Sequence, residues 1–153
     1  MTYTVALDGG TLQRGFWLYV WEVTTPSGAK LLYVGRTGDS SSINAQSPFN
    51  RMGQHLGTTR TSSMLRNHLI GRGIAPEQCS FRLVARGPIL EEADDKDTHY
   101  QRRDVIGALE KKLAESLLAA GYDVMNTVHC SKPLDEVLYV EVRTAFAVEF
   151  PGL

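Results

Sequence analysis

The sequence predicts an α+β domain, a small three-stranded antiparallel β-sheet flanked by helices. Three observations carry that prediction. Two runs rich in aromatic and β-branched residues, Phe16–Val23 and Leu31–Arg36, stand either side of a Pro- and Gly-punctuated turn at Thr24–Lys30, which reads as a hairpin. A third run, Cys79–Arg86, alternates apolar and polar residues as a half-buried strand does. Between and after these runs the apolar residues fall at helical spacing.

Taken in order, Thr4–Leu7 predicts a short strand and Asp8-Gly9-Gly10 a turn. The hairpin's second strand stops at Gly35 and runs straight into Arg36, so backbone and cation can be aimed at one place. A polar loop over Asp39–Gln46 follows. Ser47-Pro48 then reads as N-cap and first helical position of a helix that ends at Gly57 and puts Arg51 and His55, four apart, on one face. A second helix starts at one of Thr61, Ser62 or Ser63, buries Met64, Leu65, His68 and Leu69, and ends at Gly71 or Gly73. Within that stripe His68 is read as a core or boundary residue. Gly87-Pro88 is expected to stop the third strand.

The acidic run Glu91–Asp97 reads as a solvated loop or helix start, and a long helix from about Thr98 to Ala120 follows, stopped by Gly121. Its stripe includes Ile106, Leu109, Leu113 and Leu117, and Glu110 interrupts it. A carboxylate among core leucines is costly unless it is paired or holds a cation, so Glu110 is the acidic residue to single out. Two readings stay open: a functional carboxylate, or a buried Glu–Arg pair tying helix to sheet. Asn126 either fixes a loop against the sheet or touches the site. The tail from Pro133 to Phe150 is read as a terminal helix, with Ser131 and Pro133 at its start.

The chain's 153 residues suit one domain, with core motifs in 16–127 and a C-terminal extension from about 131. No apolar run approaches a membrane span, and Met1–Thr4 does not open a signal peptide, so no membrane partner and a cytoplasmic location are expected, or a nuclear one in a eukaryote. Cys79 and Cys130 lie far apart and are read as free. The net charge of −1 hides an asymmetry: residues 30–89 hold eight basic and two acidic side chains, and residues 90–153 hold seven basic and thirteen acidic. Seven of those first eight cations are arginine, suited to forked contacts with phosphate, so either a polyanion-binding face or merely an uneven surface follows. Arg60 and Arg66, with Gly35, are the candidate substrate contacts.

A hairpin carrying Trp17-Leu18-Tyr19 and Tyr33-Val34-Gly35, then Arg51 with His55 four residues on, then Glu110 on a helix and a trailing Asn126, resembles the GIY-YIG nucleases in order and rough spacing from about residue 16 to 127. The family's first glycine is Trp17 here, and the stretch between Gly35 and Arg51 is longer than usual. The resemblance implies a metal-dependent endonuclease that cuts DNA, with one Mg²⁺ or Mn²⁺ held by Glu110. It implies Tyr19 as general base toward water, Tyr33 positioning that water, and Arg36 and Arg51 as the cations that favour the phenolate. Arg51 would also clamp the phosphate, His55 would relay a proton or orient the phosphate, and Asn126 would support the site. The alternative is a non-catalytic module of the same fold that binds nucleic acid or a protein. A protein partner supplying DNA specificity also fits a chain with little room for a second domain.

Overall fold

The computed structural model describes residues 1–153 and is an α+β fold built on one three-stranded antiparallel sheet. In chain order it runs β1 (Phe16–Thr24), β2 (Lys30–Arg36), α1 (Pro48–Leu56), α2 (Met64–Gly71), β3 (Ser80–Leu90), α3 (Lys96–Ala119) and α4 (Glu136–Ala147), with single 3-10 turns at Gly9–Leu12 and Pro76–Gln78. The sheet order is β2-β1-β3.

The central strand explains why its sequence shows no alternation. Phe16–Trp21 is buried throughout because both faces of β1 are covered. Leu18 and Val20, with Leu32 and Val34, pack against Ile106, Leu109, Leu113 and Leu117 of α3 and against Tyr139, Val142 and Phe146 of α4. On the opposite face Tyr19, Trp21 and Val23, with Leu31 and Tyr33, pack against Leu65 and Leu69 of α2. In register, Tyr19 pairs with Gly35 and Trp21 with Tyr33, so both tyrosines stand on the α2 face, diagonally across the hairpin.

Ser47 caps α1 and Pro48 opens it, as the sequence predicts. Ser63 precedes α2 and Asp95 caps α3, its side chain accepting the Thr98 N–H at 2.8 Å. Four expectations differ from what is found. Thr4–Leu7 forms no strand; Val5 and Leu7 lie exposed and pair with no other strand. Gly87-Pro88 does not stop β3. Gly87, Pro88 and Ile89 bulge opposite Trp17, because Leu18 pairs with Arg86 and Phe16 with Leu90. Gly87 is needed there: its φ is +156°, and a Cβ would lie 2.6 Å from the Trp17 indole. Met64 is exposed rather than buried, α2 resting on Leu65 and Leu69 alone. The terminal helix is capped by Asp135, not begun at Ser131 or Pro133, and Tyr139 joins its buried stripe.

The outer edge of β2 is closed by the segment after α3. Leu32 donates to the Asp123 carbonyl, and the Met125 N–H donates to the Leu32 carbonyl. Asn126 then mimics a further strand residue: its Oδ1 accepts the Val34 N–H at 3.0 Å, and its Nδ2 donates to the Val34 carbonyl at 2.7 Å. Asn126→Ala removes both partners from a part-buried strand. It is expected to lower stability by about 1–3 kcal/mol in a denaturant melt. A melt within a few tenths of a kcal/mol of wild type would show that water replaces the amide freely. No helix is long and apolar enough to cross a membrane.

Candidate active site

Two polar clusters meet on either side of Tyr33. The first is built by β1 and α1. Tyr19, only 1% exposed, shares a 2.6 Å hydrogen bond between its hydroxyl and His55 Nε2. Arg51 Nε donates to the same hydroxyl at 3.4 Å. The Arg51 fork is fixed by Gln54 Oε1 at 2.9 Å and Asp39 Oδ2 at 3.3 Å. The helix spacing is why this works: Arg51, Gln54 and His55 are one turn apart and face the sheet together. The second cluster lies across the hairpin, where Arg36 Nε meets Glu110 Oε2 of α3 at 3.1 Å and Arg36 Nη1 donates to the Arg103 carbonyl at 2.8 Å.

Tyr33 joins them. Its ring centroid is 5.0 Å from that of His55 and 5.7 Å from that of His68 on α2. Beside it opens a cavity of about 490 Å³, lined by Tyr33, Met64, His68, Glu110 and the segment Met125–His129. Tyr33 and Glu110 therefore reach the cavity, while Tyr19, Arg51 and His55 do not line it.

The electrostatics follow from burial. Desolvation raises the Tyr19 hydroxyl far above the usual phenol range, although Arg51 pulls the other way. Tyr33 is pushed up to about 12, by burial and then by the Glu110 charge. Burial, aided by the neighbouring Arg51 cation, lowers His55 to about 4, so it is a neutral imidazole at neutral pH. Glu110 is raised to about 7 by burial, the pull of Arg36 notwithstanding. For a carboxyl so raised the folded chain holds the proton more tightly than the unfolded one. Its contribution to stability is thus greatest at acid pH and is lost as pH rises through about 7.

The expected residues distribute as follows. Tyr19, Arg51 and His55 form one hydrogen-bonded unit, and Glu110 with Tyr33 lines the cavity next to it. Arg36 does not serve the tyrosines; it pairs with Glu110, so the helix-to-sheet ion pair is present. Gly35 serves Tyr19. A Cβ there would lie within 2.6 Å of Tyr19 Oη and closer still to the ring carbons. Asn126 both braces β2 and lines the cavity. Arg66 is held by Glu77 at 2.7 Å and by the Leu56 carbonyl, and Arg60 lies exposed before α2.

The charge asymmetry of the sequence does not become a bare basic face. Lys30, Arg36, Arg51, Arg66, Arg72 and Arg82 are each paired, with Glu22, Glu110, Asp39, Glu77, Asp123 and Glu149 respectively. Arg60 and Arg86 are left of the eight.

Three contributors escaped the sequence reading. Asp39 stands in a polar loop of the sequence, and only the fold brings it to Arg51. Gln54 sits three residues after Arg51, a helical neighbour visible in the pattern. Gly107 was also visible: a glycine inside a long helix costs about 1 kcal/mol relative to alanine, which asks for a reason. The reason is Arg36, whose guanidinium occupies the space a Gly107 Cβ would fill.

The donors present fit one hydrated divalent ion. A single carboxylate opening on a cavity leaves most of a Mg²⁺ ion's ligands to water and substrate oxygens, as that ion favours. Comparison of the chain with family models, curated proteins and solved structures finds no match.

Proposed function

We propose that this chain is a metal-dependent endonuclease of the GIY-YIG type, hydrolysing phosphodiester bonds in DNA. The observation that carries the reading is the Tyr19 hydroxyl, bonded at once to His55 Nε2 and Arg51 Nε, beside a cavity that Glu110 lines. A hydroxyl relay, a guanidinium fork and, across Tyr33, a carboxylate are what phosphodiester hydrolysis needs: an activated water and help for developing negative charge.

In this reading Glu110 would hold Mg²⁺ or Mn²⁺, and the ion would supply positive charge against the charge developing on the phosphate. The chain's own residues do the rest. Arg51 exchanges its exposed contact with Asp39 for a phosphate oxygen, keeping its fork geometry through Gln54. Tyr33, at the cavity wall, orients the attacking water. Tyr19 stays protonated at neutral pH because it is buried, so it acts as a relay. It accepts the water's proton while giving its own to the neutral His55 Nε2. The imidazolium so formed is disfavoured by burial first and by the Arg51 cation second, and the negative charge of the arriving phosphodiester offsets the repulsion from Arg51.

A second reading, a DNA- or protein-binding module without catalysis, is favoured by one feature: Arg36 already engages the Glu110 carboxylate. Plasmid nicking with Mg²⁺ or Mn²⁺ separates the two. Wild type is expected to cut, and Glu110→Ala and Tyr19→Phe to lose most of that activity. Cutting by the variants at the wild-type rate sinks the assignment of the site, and no cutting by wild type favours the binding module.

The raised Glu110 gives an independent check. Ion binding needs the carboxylate, which is about half formed at its pKa of about 7. Mn²⁺ affinity measured by calorimetry is expected to climb several-fold between about pH 6 and 8 and to vanish in Glu110→Gln. A flat pH profile, or full binding by the variant, would place the ion elsewhere.

A further inference from the structure

The cavity beside Glu110 holds more than an ion site requires. Its volume of about 490 Å³ falls within the range of about 300–1,000 Å³ typical of pockets for small organic ligands. A hydrated cation meeting a backbone phosphate needs only a polar edge. Here the charged group is Glu110; Tyr33, Met64, His68, Met125 and Val128 supply the apolar and aromatic wall, and Asn126, Thr127 and His129 the remaining polar lining.

Two features of that wall are unexplained by the fold. Met64 is 43% exposed in the first turn of α2, while Leu65 and Leu69 alone anchor the helix. The His68 ring stands 5.7 Å from Tyr33, and its pKa is lowered by burial and by Arg72, so it presents a flat uncharged face at neutral pH. The cation that acts on it, Arg72, is already satisfied by Asp123. A polarizable thioether, a phenol and a neutral imidazole around an open recess are the materials on which a nucleobase stacks.

We propose that this cavity receives one unpaired nucleobase of the bound strand, so that the substrate class is DNA with an extruded or unpaired nucleotide next to the phosphate that is cut. The placement of that phosphate at Arg51 and Glu110 rests on the nuclease reading. The cavity's occupant is argued from its walls and from its continuity with that phosphate position. A fully paired duplex keeps its bases stacked inside and leaves the recess unfilled. Extrusion costs least where a base is already unpaired, which turns the recess into a selectivity device.

The test uses the full chain without divalent ion and two labelled duplexes, one perfectly paired and one carrying a single unpaired adenine, followed by fluorescence anisotropy. Wild type is expected to bind the second about tenfold more tightly, the effect of one stacked base at the lower end of its usual range. Met64→Ala and His68→Ala should each shrink that preference. In wild type, 2-aminopurine at the unpaired position should change emission on binding, and less so with Met64→Ala. Equal affinity for the two duplexes, failure to bind either, or a preference untouched in both variants overturns the inference. Cleavage assays run beside it keep the two proposals apart. Mg²⁺-dependent cutting without the preference removes the base cavity and leaves the nuclease. The preference without any cutting keeps the base cavity and removes the nuclease.

Discussion

Arg51→Ala is expected to lower the rate of DNA cleavage roughly 10²–10³-fold, the usual cost of removing a preorganised donor aimed at developing charge. The side chain is the one cation that touches the proposed proton relay, through Nε to the Tyr19 hydroxyl at 3.4 Å. Its other nitrogens are aimed by Gln54 and Asp39, so the fork is held before any substrate arrives. That preorganisation is what an exposed arginine lacks. Stability should fall by only about 1 kcal/mol, because Asp39, left behind, is open to solvent. Arg51→Lys sharpens the test. It keeps the charge but loses the planar fork, so it should recover binding of the DNA better than it recovers kcat. Full recovery of kcat by lysine would mean that charge alone suffices, and an unchanged rate in Arg51→Ala would remove Arg51 from the chemistry.

His55 is part of the same argument. A buried histidine lowered to about 4 is neutral at neutral pH, so its Nε2 is free to accept a proton from Tyr19. The sign of its linkage to folding is opposite to that of Glu110. A histidine lowered in the folded state contributes stability that is full above about pH 6.5 and is lost as pH falls toward about 4. Between those values the two groups act against each other, Glu110 favouring acid and His55 opposing it.

How much of this was legible depends on whether the information is local. The α1 cap at Ser47-Pro48 and the Arg51–His55 spacing are local, and the structure has both. Glu110 was legible for a related reason: a charge that breaks an apolar helical stripe must be answered by something, and Arg36 answers it. What the sequence could not settle is pairing at a distance. Nothing near Arg36 says that it turns to α3 rather than to the tyrosines. Nothing near Arg72 or Arg82 says that Asp123 and Glu149 will neutralise them, so a lopsided sequence folds into a balanced surface. Gly87-Pro88 misled because the same dipeptide that ends a strand also serves a bulge. Only the partner strand, with the Trp17 indole lying on Gly87, decides between the two. Thr4–Leu7 reads as a short strand but has no partner in the fold, and a strand needs one.

A joint loss of structure and activity is expected from a very small change, Gly35→Ala. Its φ is not left-handed, so the backbone would accept alanine; the obstacle is Tyr19, whose ring lies over the glycine directly across the pair. The ring is fully buried and bonded to His55, so it cannot step aside. Overpacking of this kind costs about 1–3 kcal/mol. It should also move the hydroxyl away from Arg51 and His55, so activity and stability should fall together. Gly107→Ala makes the contrast: there the obstructing group is the end of the Arg36 side chain, which can swing away, so stability should suffer less while Glu110 loses its cation. A double-mutant cycle identifies the clash. Tyr19→Ala alone leaves a cavity and Gly35→Ala alone overfills it, so the double variant should be more stable than the sum of the two costs predicts, by about 1 kcal/mol or more. Additivity would mean that Gly35 is required for some other reason, and the register that seats Tyr19 against it would no longer explain why a glycine stands at this position of β2.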